Sequence, residues 1–92
     1  MRYKDLVSIF RTLAGRRRLE IIHLLKDGRE RSVSNIAADI KLSIRSTSKH
    51  LLQLLNHDFV EARRVRNIVL YKLADKPPQF LQGVIKEIRH CR

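Results

Sequence analysis

The sequence predicts a small, mainly α-helical domain with one β-hairpin before its last helix. Three observations carry that expectation. Apolar residues recur at three- and four-residue spacing through residues 3–56, and a β-branched and aromatic stretch replaces that period between Phe59 and Leu73. A chain of 92 residues, 43% hydrophobic with only 3 Gly and 2 Pro, also has room for one core only. No internal repeat, low-complexity segment or Gly/Ser linker divides it, so residues 1–92 read as one domain.

Leu6, Phe10, Leu13 and Ala14, with Val7 beside them, place a first amphipathic helix over residues 3–14, stopped by Gly15. A second helix follows from Arg16 to Lys26. Its Leu19, Ile22 and Leu25, flanked by Ile21 and Leu24, make a stripe wide enough for burial on more than one side, and Asp27-Gly28 ends it. Residues 29–33 are polar up to Val33 and fit a brief extended link or strand. Ser34 reads as the N-cap of a short helix from Asn35 to Ile40, with Ile36, Ala37 and Ile40 inward, before Lys41-Leu42-Ser43 interrupts the period.

Ser43 caps the next helix, which runs from Ile44 to about Asn56. Thr47, Leu51, Leu54 and Leu55 share one face, leaving Arg45, Ser46, Lys49, Leu52 and Gln53 to point elsewhere. Phe59 to Val65 and Ile68 to Leu73, separated by Arg66-Asn67, form a hairpin whose turn uses the tolerance of Asn for positive φ. Pro77-Pro78 opens the last element. There Leu81, Val84, Ile85 and Ile88 make a narrow seam suited to another helix.

Charge and composition limit the function classes. With 20 Lys+Arg against 9 Asp+Glu, the net charge of +11 favours a polyanionic partner, either nucleic acid or an anionic membrane surface. No apolar run approaches the roughly 18 residues of a membrane span, and the apolar stripes are needed for a core, so no membrane partner is expected. Met1 to Phe10 mixes charges into its apolar residues and lacks a small-residue cleavage site, which predicts a cytoplasmic location. The single cysteine, Cys91, fits a reducing compartment. Four His and nine acids are scattered, with no Ser/His/Asp grouping or phosphate loop, so no enzyme is expected.

Helix, helix, short helix, three-residue turn, helix, basic hairpin, helix is the order of a winged helix-turn-helix. In that arrangement the second of the two closely joined helices protrudes, so its outward residues enter a major groove about 12 Å wide. Arg45, Ser46, Ser48, Lys49 and Gln53 are the candidates there. Arg pairs bidentately with guanine and Gln with adenine, while Ser and Lys more often hold phosphates. The alternative for each is a solvated helix face. His50 sits between the apolar and exposed faces and reads as a packed or phosphate-touching imidazole.

Leu52 falls where a DNA-facing helix would be polar, and packing on the wing is one reading. Ile44 in the first turn is expected to be buried, with contact to a thymine methyl as the other reading. In the hairpin, Arg63 and Arg64 are successive strand residues and cannot both face one groove, and Arg66 at the tip is placed for a backbone or minor-groove contact. Arg16 and Arg17 open the second helix against its macrodipole, which phosphate contact or a pair with Glu20 or with a dimer partner would offset.

Phe10-Arg11-Thr12-Leu13-Ala14, Arg18-Leu19-Glu20-Ile21-Ile22 with Leu24-Leu25, and Val33-Ser34-Asn35-Ile36-Ala37 form one set of motifs. Leu42-Ser43 with Ser48-Lys49-His50-Leu51 and Leu54, and Val69-Leu70-Tyr71-Lys72-Leu73, form the rest. Together they resemble the ArsR/SmtB family of bacterial and archaeal transcriptional repressors. The resemblance implies a homodimer held by the first and last helices, here Leu6, Phe10, Leu81, Val84, Ile85 and Ile88, bound to double-stranded DNA at a palindromic operator.

The chain also departs from that family. Where a Cys-x-Cys metal site would lie, it has Ser32-Val33-Ser34, and hydroxyls compete poorly for a thiophilic ion. The family's other metal site, across the dimer on the last helix, needs a paired Asp-x-His that is missing. Glu87, His90 and Cys91 remain, but polar residues at a chain end are ordinarily solvated, so no metal or other cofactor is expected. The rival readings are an RNA-binding or protein-interaction winged helix, or an architectural, non-specific DNA binder.

Overall fold

The computed structural model describes residues 2–88. Its elements follow in the order α1 (Tyr3–Leu13), α2 (Arg16–Leu25), β1 (Arg31–Ser32), α3 (Val33–Ile40), α4 (Ile44–Asn56), β2 (Val60–Val65), β3 (Ile68–Leu73) and α5 (Gln79–Ile88). The strands form one antiparallel sheet in the order β1-β3-β2, and the whole is a winged helix-turn-helix.

Local chemistry sets the boundaries. Gly15 is extended (φ −88°, ψ 124°) and separates α1 from α2. Its missing side chain also makes room, since a Cβ there would stand 3.4 Å from the guanidinium carbon of Arg18. Gly28, at φ +79°, closes α2 by returning its N–H to the Leu25 carbonyl at 3.0 Å.

α3 starts two residues before the sequence expectation because Ser32, not Ser34, is its cap: the Ser32 hydroxyl accepts the Asn35 N–H at 3.2 Å. Lys41 then takes the left-handed conformation (φ 57°), and the Leu42 N–H returns to the Ala37 carbonyl at 3.0 Å. This reversal, followed by the Ser43 hydroxyl accepting the Ser46 N–H at 3.1 Å, is the turn that throws α4 away from α3. Asp58 (φ 59°) ends α4 in the same way, with the Phe59 N–H on the Leu54 carbonyl at 3.0 Å. Phe59, expected as the first strand residue, is therefore an apolar plug behind the α4 turn, fully buried ahead of β2.

The core draws one stripe from each helix. Ile21, Ile22 and Leu25 of α2, Ile36 of α3, Leu51 and Leu54 of α4, Phe59 and Leu81 are all fully buried. Two of the residues expected at the dimer interface belong to this core: Leu81 and Ile88 are only 0% and 5% exposed. α5 packs against α2 of its own chain, so the inner half of its seam is already covered. Val84 and Ile85 are half-buried beside it. In α1 the inward face is Ile9, Thr12 and Leu13, which leaves Leu6, Val7 and Phe10 outward together with Tyr3.

A candidate nucleic-acid interface on α4 and the wing

Burial of Thr47, Leu51 and Leu54 fixes the rotation of α4, so the opposite stripe faces solvent. That stripe is Arg45, Lys49, Leu52 and Asn56, spaced at i, i+4, i+7 and i+11, and all four are exposed. No carboxylate occurs anywhere in residues 41–57, and neither Arg45 nor Lys49 takes part in the ion pairs among the described residues. Both cations are therefore free to meet an external anion or base edge. Ser46 and Ser48 are half-buried, at the margin of this face. Gln53 is exposed and lines a polar cleft between α4 and α1 with Arg11, Arg18 and Asn56. Asn56, whose amide can both donate and accept, was not among the sequence candidates, although its i+11 spacing from Arg45 places it on the same stripe.

Ile44 and Leu52 do not behave as expected. Ile44 is 57% exposed instead of buried, and Leu52 is 50% exposed instead of covered by the wing. Ile44 is the first residue after the Ser43 cap, where no preceding turn shelters it. Leu52 sits on the side of α4 opposite the core.

The wing separates its arginines. Register pairs Arg63 with Leu70, Arg64 with Val69 and Val65 with Ile68, so Arg63 and Arg64 lie on opposite faces. Arg63 is held by Glu30 in a two-bond fork (Nε 2.8 Å, Nη2 2.7 Å) that lowers the Glu30 pKa through the hydrogen bond first and charge second. Its charge is largely balanced within the chain. Arg64 and Arg66 are exposed and join none of the ion pairs among the described residues.

The positive φ of the turn falls on Arg66 (56°), not on Asn67 as the composition suggested. A non-glycine residue in that region costs roughly 1–2 kcal/mol. Arg66→Gly is expected to raise the melting temperature by a few degrees while lowering affinity for DNA, measured by thermal unfolding and duplex binding. A variant that gains stability and keeps full affinity would remove Arg66 from the interface.

The start of α2 is more structural than the sequence implied. Arg17 donates to the Ile40 carbonyl at 2.7 Å and to Glu20 at 3.4 Å, which ties α2 to the end of α3. Arg16 is the freer of the two, with a side chain 89% exposed and 3.7 Å from Glu20.

His50 is packed as anticipated, and its partner is specific. Arg18 Nε donates to His50 Nδ1 at 3.2 Å, so the ring is neutral with its proton on Nε2. Burial first, then the charges of Arg18 and Arg17, hold its pKa below the usual 6.5. The unfolded chain therefore binds this proton before the folded one does. Stability from His50 is complete above about pH 6.5 and is lost as pH falls through the lower folded value. Between about pH 7 and 5 the melting temperature of the wild type should fall more than that of His50→Gln, whose amide oxygen accepts the same bond without titrating. Superimposable profiles would contradict the assignment.

Among the described residues no three His, Cys, Asp or Glu side chains are grouped to hold a metal, and the hydroxyl of Ser32 is engaged as a helix cap. Glu87 is exposed on α5, and His90 and Cys91 lie outside the described residues. No described helix is long and apolar enough to cross a membrane.

Comparison with known proteins agrees with this geometry. Residues 16–62 match the model of the family described as bacterial regulatory protein, arsR family. The fold is similar to HlyU from Vibrio cholerae (26% identity, 100% of each chain covered, TM-score 0.78). It is similar to M. tuberculosis Rv0081 (32% identity, 95% of this chain and 87% of that one, TM-score 0.77). A third similar structure is a homodimeric winged helix-turn-helix DNA-binding domain from Mycobacterium bovis, a possible ArsR-family regulator (26% identity, 97% and 83% covered, TM-score 0.75). No curated protein matches the sequence significantly.

Proposed function

This chain belongs to the arsR family of bacterial regulatory proteins, DNA-binding regulators of transcription, and from that premise we propose that it is a homodimeric repressor acting by occupancy of a palindromic operator. The observation that carries the reading is the outward stripe of α4: two unpaired cations, an amide and no carboxylate, presented beside a basic wing. Arg45 reads guanine, Lys49, Ser46 and Ser48 hold phosphates at the groove edge, and Gln53 and Asn56 serve adenine. Arg66 and Arg64 extend the contact from the wing, with Arg16 adding a phosphate contact. Arg63 and Arg17 act chiefly inside the chain, fixing the wing and the helix-turn-helix.

Dimerisation uses the apolar residues that the chain leaves uncovered. Tyr3, Leu6, Val7 and Phe10 of α1 are 90%, 37%, 47% and 63% exposed, and Phe80 of α5 is 40% exposed. Apolar side chains exposed in this number on a +11 chain are costly to leave in water and suit a self-complementary interface. The M. bovis relative is homodimeric, in keeping with this reading. A two-fold dimer sets the two α4 helices about 34 Å apart, one turn of DNA. With serines where the family's thiolates stand, the repressor is proposed to work without a metal at α3, and to act in the cytoplasm.

The test is selection of bound duplexes from a random library at about 150 mM salt, where non-specific phosphate contacts are weakened. The expected result is an inverted repeat with half-site centres about 10 base pairs apart, resistant to excess RNA. No enriched sequence, or equal competition by RNA, would favour an architectural or RNA-binding module instead.

A further inference from the structure

We propose that α4 reads thymine through its aliphatic side chains: Leu52 and Ile44 contact thymine C5 methyl groups in the major groove. The chain then selects a half-site by its methyl pattern as well as by hydrogen bonds. Among the described residues, the exposed large apolar side chains fall on two pairs of elements. Tyr3, Leu6, Val7, Phe10 and Phe80 lie on α1 and α5, whereas Ile44 and Leu52 lie on α4 with Val65 and Ile68 on the wing. The first set has an occupant in a second copy of the chain. The second lies on the same elements as the exposed Arg45, Lys49 and Arg66, where the proposed partner is a polyanion and an aliphatic group gains nothing from charge.

The placement of Leu52 is the decisive detail. It stands on the outward stripe between Lys49, three residues before it, and Asn56, four residues after, and it is half exposed although the wing is close by in sequence. A leucine pressed against the donors and acceptors of a base edge would strip them of water and return no hydrogen bond. The thymine methyl is the one apolar group on a major-groove edge, and burying it against an aliphatic side chain is favourable. Ile44 lies eight residues earlier, about 12 Å along the helix axis. That is three to four base steps at about 3.4 Å each, so the two side chains address separate thymines of one half-site.

This inference rests on the reading that α4 lies in the major groove, and the test separates the two. The preferred duplex from the selection is remade with deoxyuridine in place of every thymine, which keeps pairing and removes only the methyl. The wild-type chain is expected to lose about fourfold in affinity per contacted methyl, about fifteenfold per half-site when both are lost. Leu52→Ala should lose affinity for the thymine duplex and show a correspondingly smaller response to uracil, and Leu52→Ala with Ile44→Ala should show almost none.

Equal affinity of the wild type for the two duplexes overturns the methyl contact while leaving DNA recognition standing. So does a uracil effect of the same size in the wild type and both variants, since the methyl is then sensed elsewhere. Failure to enrich any duplex removes the premise itself. The wild-type comparison needs no substitution, so equal affinity for the two duplexes overturns the contact even if a variant folds poorly. Ile44→Val and Leu52→Val, which keep most of the packing, assign the effect to these side chains by a reduced uracil response.

Discussion

Arg45→Ala is expected to lower affinity for the preferred duplex by about 30- to 10⁴-fold at about 150 mM salt and to relax the sequence preference at one base pair of each half-site. The size follows from symmetry. A bidentate arginine–guanine pair contributes about 1–3 kcal/mol, and the proposed dimer would lose it twice. Nothing inside the chain compensates, because Arg45 is exposed and has no ion-pair partner among the described residues. Lys49→Ala should differ in kind. Its affinity loss is nearly the same for all sequences, and the slope of log affinity against log salt shrinks by about 2 for the dimer, one phosphate per protomer. Fluorescence anisotropy titrations at several salt concentrations separate the two. An Arg45 variant that weakens all duplexes equally would reassign that residue to the backbone.

Arg18→Ala destabilises the fold by about 2–3 kcal/mol, which for a domain of this size lowers the melting temperature by roughly 10–20 °C. Its guanidinium joins three elements. Nη1 donates to the Arg11 and Thr12 carbonyls at 3.0 and 2.9 Å, at the end of α1, and Nε donates to His50 of α4 at 3.2 Å. The two carbonyls belong to the last turn of a helix, where no intrahelical donor reaches them, and a cation is favoured there by the macrodipole as well. Removing the guanidinium leaves both carbonyls and the imidazole nitrogen short of a partner at once. Arg18→Lys should recover only part of the loss, because one ammonium cannot span the fork. Unfolding at a fixed protein concentration measures this, and a change below about 0.5 kcal/mol would mean that water replaces all three bonds.

Much of the fold was legible because local rules and tertiary packing agree. The α4 span was read in full from Ser43 to Asn56, since the cap, the apolar period and the following β-branched run all mark the same limits. The start of α3 was misread because Ser32 and Ser34 are both good caps, and only the observed bond from Asn35 N–H to Ser32 decides between them. The wing turn was located but not its strain. The Val65–Ile68 register leaves a two-residue loop with positive φ at its first position, Arg66, whereas residue preference pointed to Asn67.

The candidate site divides in the same way. Spacing alone put Arg45 and Lys49 on the outer face of α4, because a buried stripe determines its opposite. Spacing could not say that Arg63 would be taken by Glu30, thirty-three residues away, or Arg17 by the Ile40 carbonyl. Long-range partners are a property of the assembled layers. For the same reason Leu81 and Ile88 read as part of a dimer seam from spacing, whereas in the folded chain both are buried in its own core. The exposure of Leu52, by contrast, was an anomaly already in the sequence, and the structure turned it into a surface with a chemical meaning.

Hydroxyl-radical footprinting with dimethyl sulfate interference on the selected duplex tests the central claim most directly, that two α4 helices of one dimer occupy successive major grooves. Two symmetric patches are expected on one face of the DNA, about 10 base pairs apart, with interference at guanine N7 in each that disappears for Arg45→Ala. A single asymmetric patch, or protection without any N7 interference, would contradict it.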